Sequence, residues 1–389
     1  MAAGDKTNGT DEAPEKTKVD AKLTAKVTAT MTKATTTTPA EKTITPASHG
    51  AGITLITGAS GFLGGHLVRL LSERKLGPVR AMQSGEPPGW MRGLDGVEVV
   101  RGSVLSADDV ARALAGVDRI YHLAGLVSTK DADAHRMYQL HVEGTRLLCK
   151  AAAAAGVRRM VLSSTSGTIA VSKRADSGLD ESCPAPIELI GRWPYYASKL
   201  YQEEAAKRAC GDAVELVIMN PSLLLGPGDD RLSSTRVVMQ FLGREIVMTP
   251  PGGLNFVDVR DVATTFLTAM ERGRPGERYL LGAVNWSLAE LFGRLERMTK
   301  IPGPLVRGRG NMTLWAAHAQ AALFRRLGKT PPIEPMTVDM AEHHWFFESH
   351  KAARELSFQP RDATETLYDT VRYLRENFLG KRDILVSAG

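Results

Sequence analysis

Apolar residues recur along this chain in two alternating rhythms. Residues 53–57 (Ile-Thr-Leu-Ile-Thr) form a short β-branched run of the kind buried within a sheet. Similar runs return at 79–82, 97–100, 119–123, 159–163 and 214–219. Between them the apolar positions take helical spacing. Leu63, Leu67, Leu70 and Leu71 share one face of a helix predicted over 62–75. A longer helix is predicted over 131–155, where the run Ala151 to Ala155 stops at Gly156. Short strands alternating with helices predict an α/β fold, with a doubly wound parallel sheet covered on both faces.

The rhythm is less regular elsewhere. An insert at 175–193, the stretch 226–251 and most of the chain after 282 are expected to build a smaller, mostly helical lobe that faces a substrate. The predicted organisation is a core domain over 51–282, interrupted by those two insertions, and a C-terminal lobe over 283–381. A helix over 312–327 belongs to the lobe. Its apolar face suits the lobe core, with a membrane-surface patch or a homodimer contact as the other readings.

The first 50 residues follow neither rhythm. They are rich in Thr, Ala and Lys, include the run Thr35-Thr36-Thr37-Thr38-Pro39 and contain no aromatic residue. Such a segment buries too little apolar surface to offset its ordering entropy and is read as disordered. It has no Arg and carries Asp5, Asp11, Glu12, Glu15 and Asp20, which disfavours a transit peptide, and it lacks the apolar core of a secretory signal.

Composition narrows the partners. The net charge is +6, but the positive residues are scattered apart from Arg307, Arg309, Arg325, Arg326 and Lys329. With no zinc-finger spacing and no basic helix with interleaved aromatics, nucleic acid is not expected. Cys149, Cys183 and Cys210 are widely spaced and suggest neither a disulfide framework nor a metal site, which fits a reducing, cytoplasmic setting. No apolar run approaches the roughly 18–20 residues needed to span a bilayer.

The first strand leads directly into Thr57-Gly58-Ala59-Ser60-Gly61-Phe62-Leu63-Gly64, and a helix follows. That context gives the glycines a mechanism. Gly58 permits a tight turn, Gly61 lets backbone N–H groups approach a pyrophosphate, and Gly64 lets the helix pack on the strand. The helix N-terminus favours the negative charge. A Rossmann-type dinucleotide site is the prediction, with Ser60, Phe62 and Leu63 contributing to the cradle.

Farther along, Tyr195 and Lys199 lie four residues apart, on one face if the stretch after Trp193 is helical. A free phenol has a pKa near 10 and is a poor base at neutral pH. A neighbouring ammonium lowers that value, so this pair suits general acid/base chemistry on a carbonyl or hydroxyl. Tyr196 is three residues from Lys199 and is the near alternative. The adjacent His343 and His344 would diverge on a helix, and no metal is expected there.

The two-residue spacing between the loop glycines resembles the extended short-chain dehydrogenases/reductases. Other elements match in order: Tyr121-His122-Leu123-Ala124-Gly125, Val142-Glu143-Gly144-Thr145, Ser163-Ser164-Thr165 and Tyr195-Tyr196-Ala197-Ser198-Lys199. They continue with 220–228, beginning Asn220-Pro221-Ser222-Leu223, and 255–262, Asn-Phe-Val-Asp-Val-Arg-Asp-Val. Within that superfamily the chain is similar to the NAD(P)-dependent epimerase/dehydratase group and its dihydroflavonol reductase and 3β-hydroxysteroid dehydrogenase relatives.

The resemblance implies roles. NAD or NADP is the cofactor, held also by Ser84, Ser103, Leu123, Ala124, Gly125, Pro221, Ser222 and Leu223. Lys199 grips the nicotinamide ribose, Tyr195 transfers the proton, and Thr165 polarises the substrate oxygen, with Ser164 as its runner-up. Three positions depart from the pattern. Ser84 is neither the acid that selects NAD nor the Arg that suits NADP, although Arg80 is close in sequence. Ser103 replaces the usual Asp near the adenine, and His141 replaces the usual Asn, where a structural hydrogen bond is the leading role over proton relay.

The implied function is interconversion of a secondary alcohol and a ketone, with an apolar, sterol- or flavonoid-like substrate preferred. One alternative is a nucleotide-sugar epimerase or dehydratase with tightly bound NAD, for which Arg231, Arg236 and Arg244 are the diphosphate candidates. The other is a dinucleotide-binding sensor or assembly protein without chemistry.

Overall fold

A computed structural model describes residues 52–175, 178–304, 306–308 and 334–380, with positions 322, 324 and 326 between them. The N-terminal tail and, those three positions aside, the predicted helix over 312–327 lie outside the described residues.

The central sheet has seven strands: β1 (Ile53–Thr57), β2 (Val79–Gln83), β3 (Val97–Arg101), β4 (Val117–His122), β5 (Arg159–Ser163), β6 (Glu215–Pro221) and β10 (Arg278–Leu281). Their order is β10-β6-β5-β4-β1-β2-β3 and every pairing is parallel. The chain leaves β1 toward β2 on one side and returns to β4 on the other. That reversal opens a crevice at the carboxyl ends of β1 and β4, where doubly wound sheets bind ligands.

Successive strand residues point to opposite faces, so Leu55 and Ile56, both fully buried, enter different cores. Ile56 packs with Leu67 and Val68 of α1 (Phe62–Glu73) and with Phe266 of helix Val259–Arg272. Leu55 packs with Val110 of α2 (Ala107–Leu114), Leu148 of a helix over Gly144–Ala154, and Ala206 of a helix over Pro194–Cys210. Burial on both faces explains why β1, β5 and β6 read as nearly continuous apolar runs.

The predicted helix over 131–155 is not one helix. A 3-10 turn at Asp131–Asp133 leads into α3 (Ala134–Tyr138), then a π-helical turn at Gln139–Glu143, then α4 (Gly144–Ala154). The π turn places fully buried His141 at its centre. After the short helix α5 (Ile187–Ile190) comes α6 (Pro194–Cys210), with Pro194 at its start, where a missing N–H costs nothing.

The smaller lobe has its own core. Val238 and Phe241 of α7 (Arg236–Leu242) pack with residues of β7 (Leu223–Leu225), β9 (Gly253–Asp258) and β11 (Val284–Ser287). These three strands form a sheet in the order β11-β9-β7, and β8 (Met248–Thr249) pairs separately with a strand over Val306–Arg307. The same core takes Leu291 and Leu295 of a helix over Leu288–Thr299, and Leu367 and Leu374 of one over Ala363–Asn377. Ser287 and Glu290 form a capping box that starts the first of these helices. The insert at 175–193 packs elsewhere: Leu179 and Cys183 lie against Ile169, Leu280 and Phe347.

Candidate active site

The glycine loop closes on the crevice. Gly58 has φ +71°, and a Cβ there would sit 2.7 Å from the Leu123 carbonyl carbon and the Ala124 nitrogen. A side chain at Gly64 would overlap the Gly58 carbonyl, so α1 could not pack where it does. The Gly61 N–H donates to Gly58 O at 3.0 Å, and α1 then begins without a side-chain cap. An uncapped helix start leaves backbone donors for an anion. Arg231, 171 residues away, donates from Nη2 to Ser60 Oγ at 3.3 Å.

At the far end of the crevice Ser84 is exposed. The Ser103 N–H donates to the Asp109 carboxylate at 2.9 Å, and this bond, with nearby Arg112, holds Asp109 below its ordinary pKa. Asp109 of α2 thus holds the backbone at Ser103. Arg80 is occupied: it donates to the Ala113 and Ala115 carbonyls at 2.8 and 2.7 Å and pairs with Glu98. Gln83, which sequence reasoning passed over, is buried with neither amide atom partnered, and buried Ser222 has an unpartnered hydroxyl. Buried polar groups ordinarily find partners. An open glycine cradle and these orphaned groups fit a dinucleotide.

Tyr195 and Lys199 project from α6, and Thr165 follows β5. Burial raises the Tyr195 pKa, and a hydrogen bond with the Thr165 side chain opposes that rise. Lys199 is buried, and its pKa is pushed down to about 8 by burial, against the attraction of Glu203. Its Nζ donates to Ser163 O at 2.8 Å and to Gln202 Oε1 at 2.9 Å.

The adjacent hydroxyls separate by environment. Ser164 is buried and donates to Glu203, which also accepts from Thr168 Oγ1 and Asn220 Nδ2 at 2.8 Å each. Thr165 is only partly buried. Tyr196 packs in an aromatic cluster, 4.7 Å from the Trp345 ring and 5.9 Å from Trp193, against Gly167, where a side chain would overlap its ring.

His141 accepts the Leu126 N–H at Nε2 at 3.0 Å, and its Nδ1 lies 2.8 Å from Ser198 Oγ. Ser198 in turn donates to the Tyr195 carbonyl at 2.7 Å. Burial, then the charge of Lys199, drive the His141 pKa well down, so the ring is neutral and bonded on both sides. His343 bonds the Asp339 carbonyl through Nδ1 at 2.7 Å and packs edge-on against Trp193.

The NAD dependent epimerase/dehydratase family model matches residues 54–282. The chain is 30% identical over 332 residues to the "Putative dihydroflavonol 4-reductase" of Synechocystis sp., covering 83% of this chain and 94% of that one. It is 30% identical over 328 residues to "Sterol demethylase protein B" of Methylococcus capsulatus, covering 83% and 98%. The crystal structure of gox2253 superimposes with a TM-score of 0.73 at 29% identity, over 85% of this chain and all of that one. That of MoeE5 with UDP-glucuronic acid and NAD shares the fold, with a TM-score of 0.64 at 22% identity over 84% of this chain and all of that one. Among the described residues no helix is long and apolar enough to cross a membrane.

Proposed function

Because the chain belongs to the NAD-dependent epimerase/dehydratase family, an extended short-chain dehydrogenase/reductase using a nicotinamide dinucleotide, we propose that it interconverts a secondary alcohol and a ketone through Thr165, Tyr195 and Lys199. The observation that supports this most is the contrast between two neighbours. Ser164 is buried on Glu203, whereas Thr165 is partly open and bonded to Tyr195.

When bound, the nicotinamide supplies or accepts the hydride. In the reducing direction Thr165 donates a hydrogen bond to the substrate oxygen, and Tyr195 gives that oxygen its phenolic proton. A buried phenol gives up its proton reluctantly. A nearby ammonium favours the phenolate, and Lys199 is held for that task by Ser163 and Gln202. Two of its three N–H bonds are thereby used, leaving the third for the nicotinamide ribose. Gly58, Gly61, Gly64 and the start of α1 would receive the pyrophosphate, and Ser60, Phe62, Leu63, Leu123, Ala124, Gly125, Pro221, Ser222 and Leu223 would complete the cofactor wall. Ser84 and Ser103 would lie toward the adenine.

An apolar substrate is supported by relatives named for a dihydroflavonol and a sterol, and by partly buried Leu223, Val237 and Met239 on the lobe core. Arg231, a candidate for a sugar diphosphate, instead bonds Ser60 of the glycine loop, which weighs against a nucleotide-sugar substrate. Retention of both Tyr195 and Lys199 weighs against a sensor without chemistry.

Tyr195→Phe is expected to lower kcat about 10²–10⁴-fold, while the dinucleotide Kd, read by fluorescence quenching, stays within about twofold of wild type because the phenol is directed at the substrate. Full turnover in that variant would sink the assignment. A panel of ketones offered with NADH and NADPH tests the substrate class; oxidation of cofactor only by small polar ketones or sugar nucleotides would overturn it.

A further inference from the structure

Lys199 is the end of a buried hydrogen-bonded chain. Its Nζ donates to Gln202 Oε1 at 2.9 Å, and Gln202 Nε2 donates to Thr145 Oγ1 in α4 at 2.9 Å. Thr145 Oγ1 lies 2.8 Å from His122 Nε2 at the end of β4, and His122 Nδ1 lies 2.7 Å from Thr57 Oγ1 at the end of β1. Thr57 Oγ1 also accepts the Ala124 N–H at 3.3 Å. Gln202, Thr145, His122 and Thr57 are completely buried.

The directions of the first two bonds in this chain follow from its charged end. An ammonium has donors only, so Gln202 turns its carbonyl oxygen to Lys199 and its N–H to Thr145. Thr145 Oγ1 accepts that bond and is in hydrogen-bond contact with Nε2 of His122. The His122 ring is neutral, since burial and the Lys199 charge bring its pKa to about 3, and its Nδ1 is in hydrogen-bond contact with Thr57 Oγ1. The far end therefore rests on the two loops that would face the cofactor: Thr57 immediately precedes Gly58, and Ala124 lies in the loop after β4.

We propose that Gln202 is a positioning residue, which sets the Lys199 ammonium against the cofactor-facing loops by joining it to Thr145, His122 and Thr57. The proposal rests on Lys199 being the cofactor-gripping lysine. Other groups around Lys199 do not duplicate this role. Glu203, on the same helix, attracts the ammonium but holds Ser164, Thr168 and Asn220 and faces Arg278 at 3.7 Å. His122 from β4 and His141 from the π turn are neutral. Tyr195, one turn earlier on α6, is bonded to Thr165. The sequence offered no signal for Gln202, because Thr145 and His122 are distant from it along the chain.

The test compares wild type with Q202M, which removes both bonds, and Q202E, which keeps an acceptor for Lys199 and makes it anionic. NADH and NADPH affinities are followed by fluorescence quenching over about pH 6–10, where a depressed lysine titrates. Q202M is expected to weaken dinucleotide binding and turnover by about tenfold to a hundredfold, the usual range for losing a hydrogen bond to a charged group, and to move the alkaline midpoint of binding down by about one unit. Q202E should move that midpoint up. A residue that only filled space between α4 and α6 would lower thermal stability and leave the midpoint unmoved. Unmoved midpoints, or shifts of both variants in one direction, overturn the proposal; if Q202M does not fold, the near-isosteric Q202E decides alone. The binding readout does not require Tyr195. An active Tyr195→Phe enzyme with the Gln202 shifts intact would remove the proton-transfer assignment and leave this one standing.

Discussion

Two buried polar networks in this molecule handle charge in opposite ways. At the junction of the sheet and the smaller lobe, Asp258 caps the helix that follows it, α8 (Val259–Arg272), through the Arg260 N–H at 2.8 Å. Arg260 bridges Asp258 and Asp369 at 2.7 Å each, and Arg361 pairs with Asp261 at 2.8 Å and reaches Asp258 at 3.5 Å. Burial would raise the Asp258 pKa, but the Arg260 hydrogen bonds and charge, with Arg361, hold it below the ordinary value. At the candidate active site the Lys199 ammonium is bonded mostly to neutral groups, and its pKa falls to about 8. Matched charges give a junction that keeps its ionisation. A charge without a matched partner gives a group whose proton is loosely held, the property that chemistry requires.

The largest expected effect separates the two networks along the pH axis. His122 stays neutral in the native state down to about 3, whereas in the unfolded chain it takes a proton near its ordinary 6.5. The unfolded state then binds more protons, so stability rises with pH through that window and is lost as pH falls, by a contribution of order 4 kcal/mol. His141 acts with the same sign. Asp258 has a depressed pKa, so its stabilising contribution is lost only at lower pH, as the medium falls below the ordinary carboxylate value. His122→Asn should flatten the upper part of the acid-unfolding curve and leave the lower part; an unchanged curve would show that His122 is not the group responsible.

The next effect is at the junction. Arg260→Met leaves Asp258 and Asp369 facing each other without their shared cation, at a cost of about 3 kcal/mol given that Arg260 is partly exposed. Urea unfolding measures the loss, and a shift below about 1 kcal/mol would mean that the pairs behave as surface ion pairs. The smallest effect is expected from Arg231→Ala. Exposed Arg231 meets Ser60 at the glycine loop, so its removal should weaken NADH binding by about threefold to tenfold, an effect that shrinks in high salt, with unfolding unchanged. A salt-independent loss would place Arg231 outside the electrostatics of the crevice.

These contrasts also mark what could be read from the residues in order. Strands β1, β5 and β6 were legible because burial on both faces leaves nearly unbroken apolar runs, β2 to β4 because enough apolar positions remain around Arg80, Glu98 and Arg119, and the Gly58 turn because its glycines have no substitute. β10 was not, since its four residues are too short a run to stand out. The π turn at Gln139–Glu143 was read as ordinary helix, because one widened turn hardly disturbs the apolar spacing on either side. Thr165 and Ser164 are adjacent, and what distinguishes them is Glu203, which the fold alone brings to Ser164. Asp109 at Ser103 and the orphaned Gln83 amide depend likewise on packing between elements, which a linear pattern does not encode.

The segment around Trp345 has a consequence for how the protein comes into being. His344 exchanges backbone bonds with Ser172 at 2.8 and 2.9 Å, Trp345 N donates to Gly253 O at 3.1 Å, and Phe347 N donates to Asn285 Oδ1 at 3.2 Å. A late stretch of chain thus stitches together segments made long before it. On a ribosome, the emerging polypeptide contains all seven strands of the main sheet while Trp345 is still unsynthesised. Closure of the aromatic cluster beside Tyr196 therefore waits on contacts of high sequence separation, the kind that form slowly. During that interval a half-built wall is open to solvent and to chaperones.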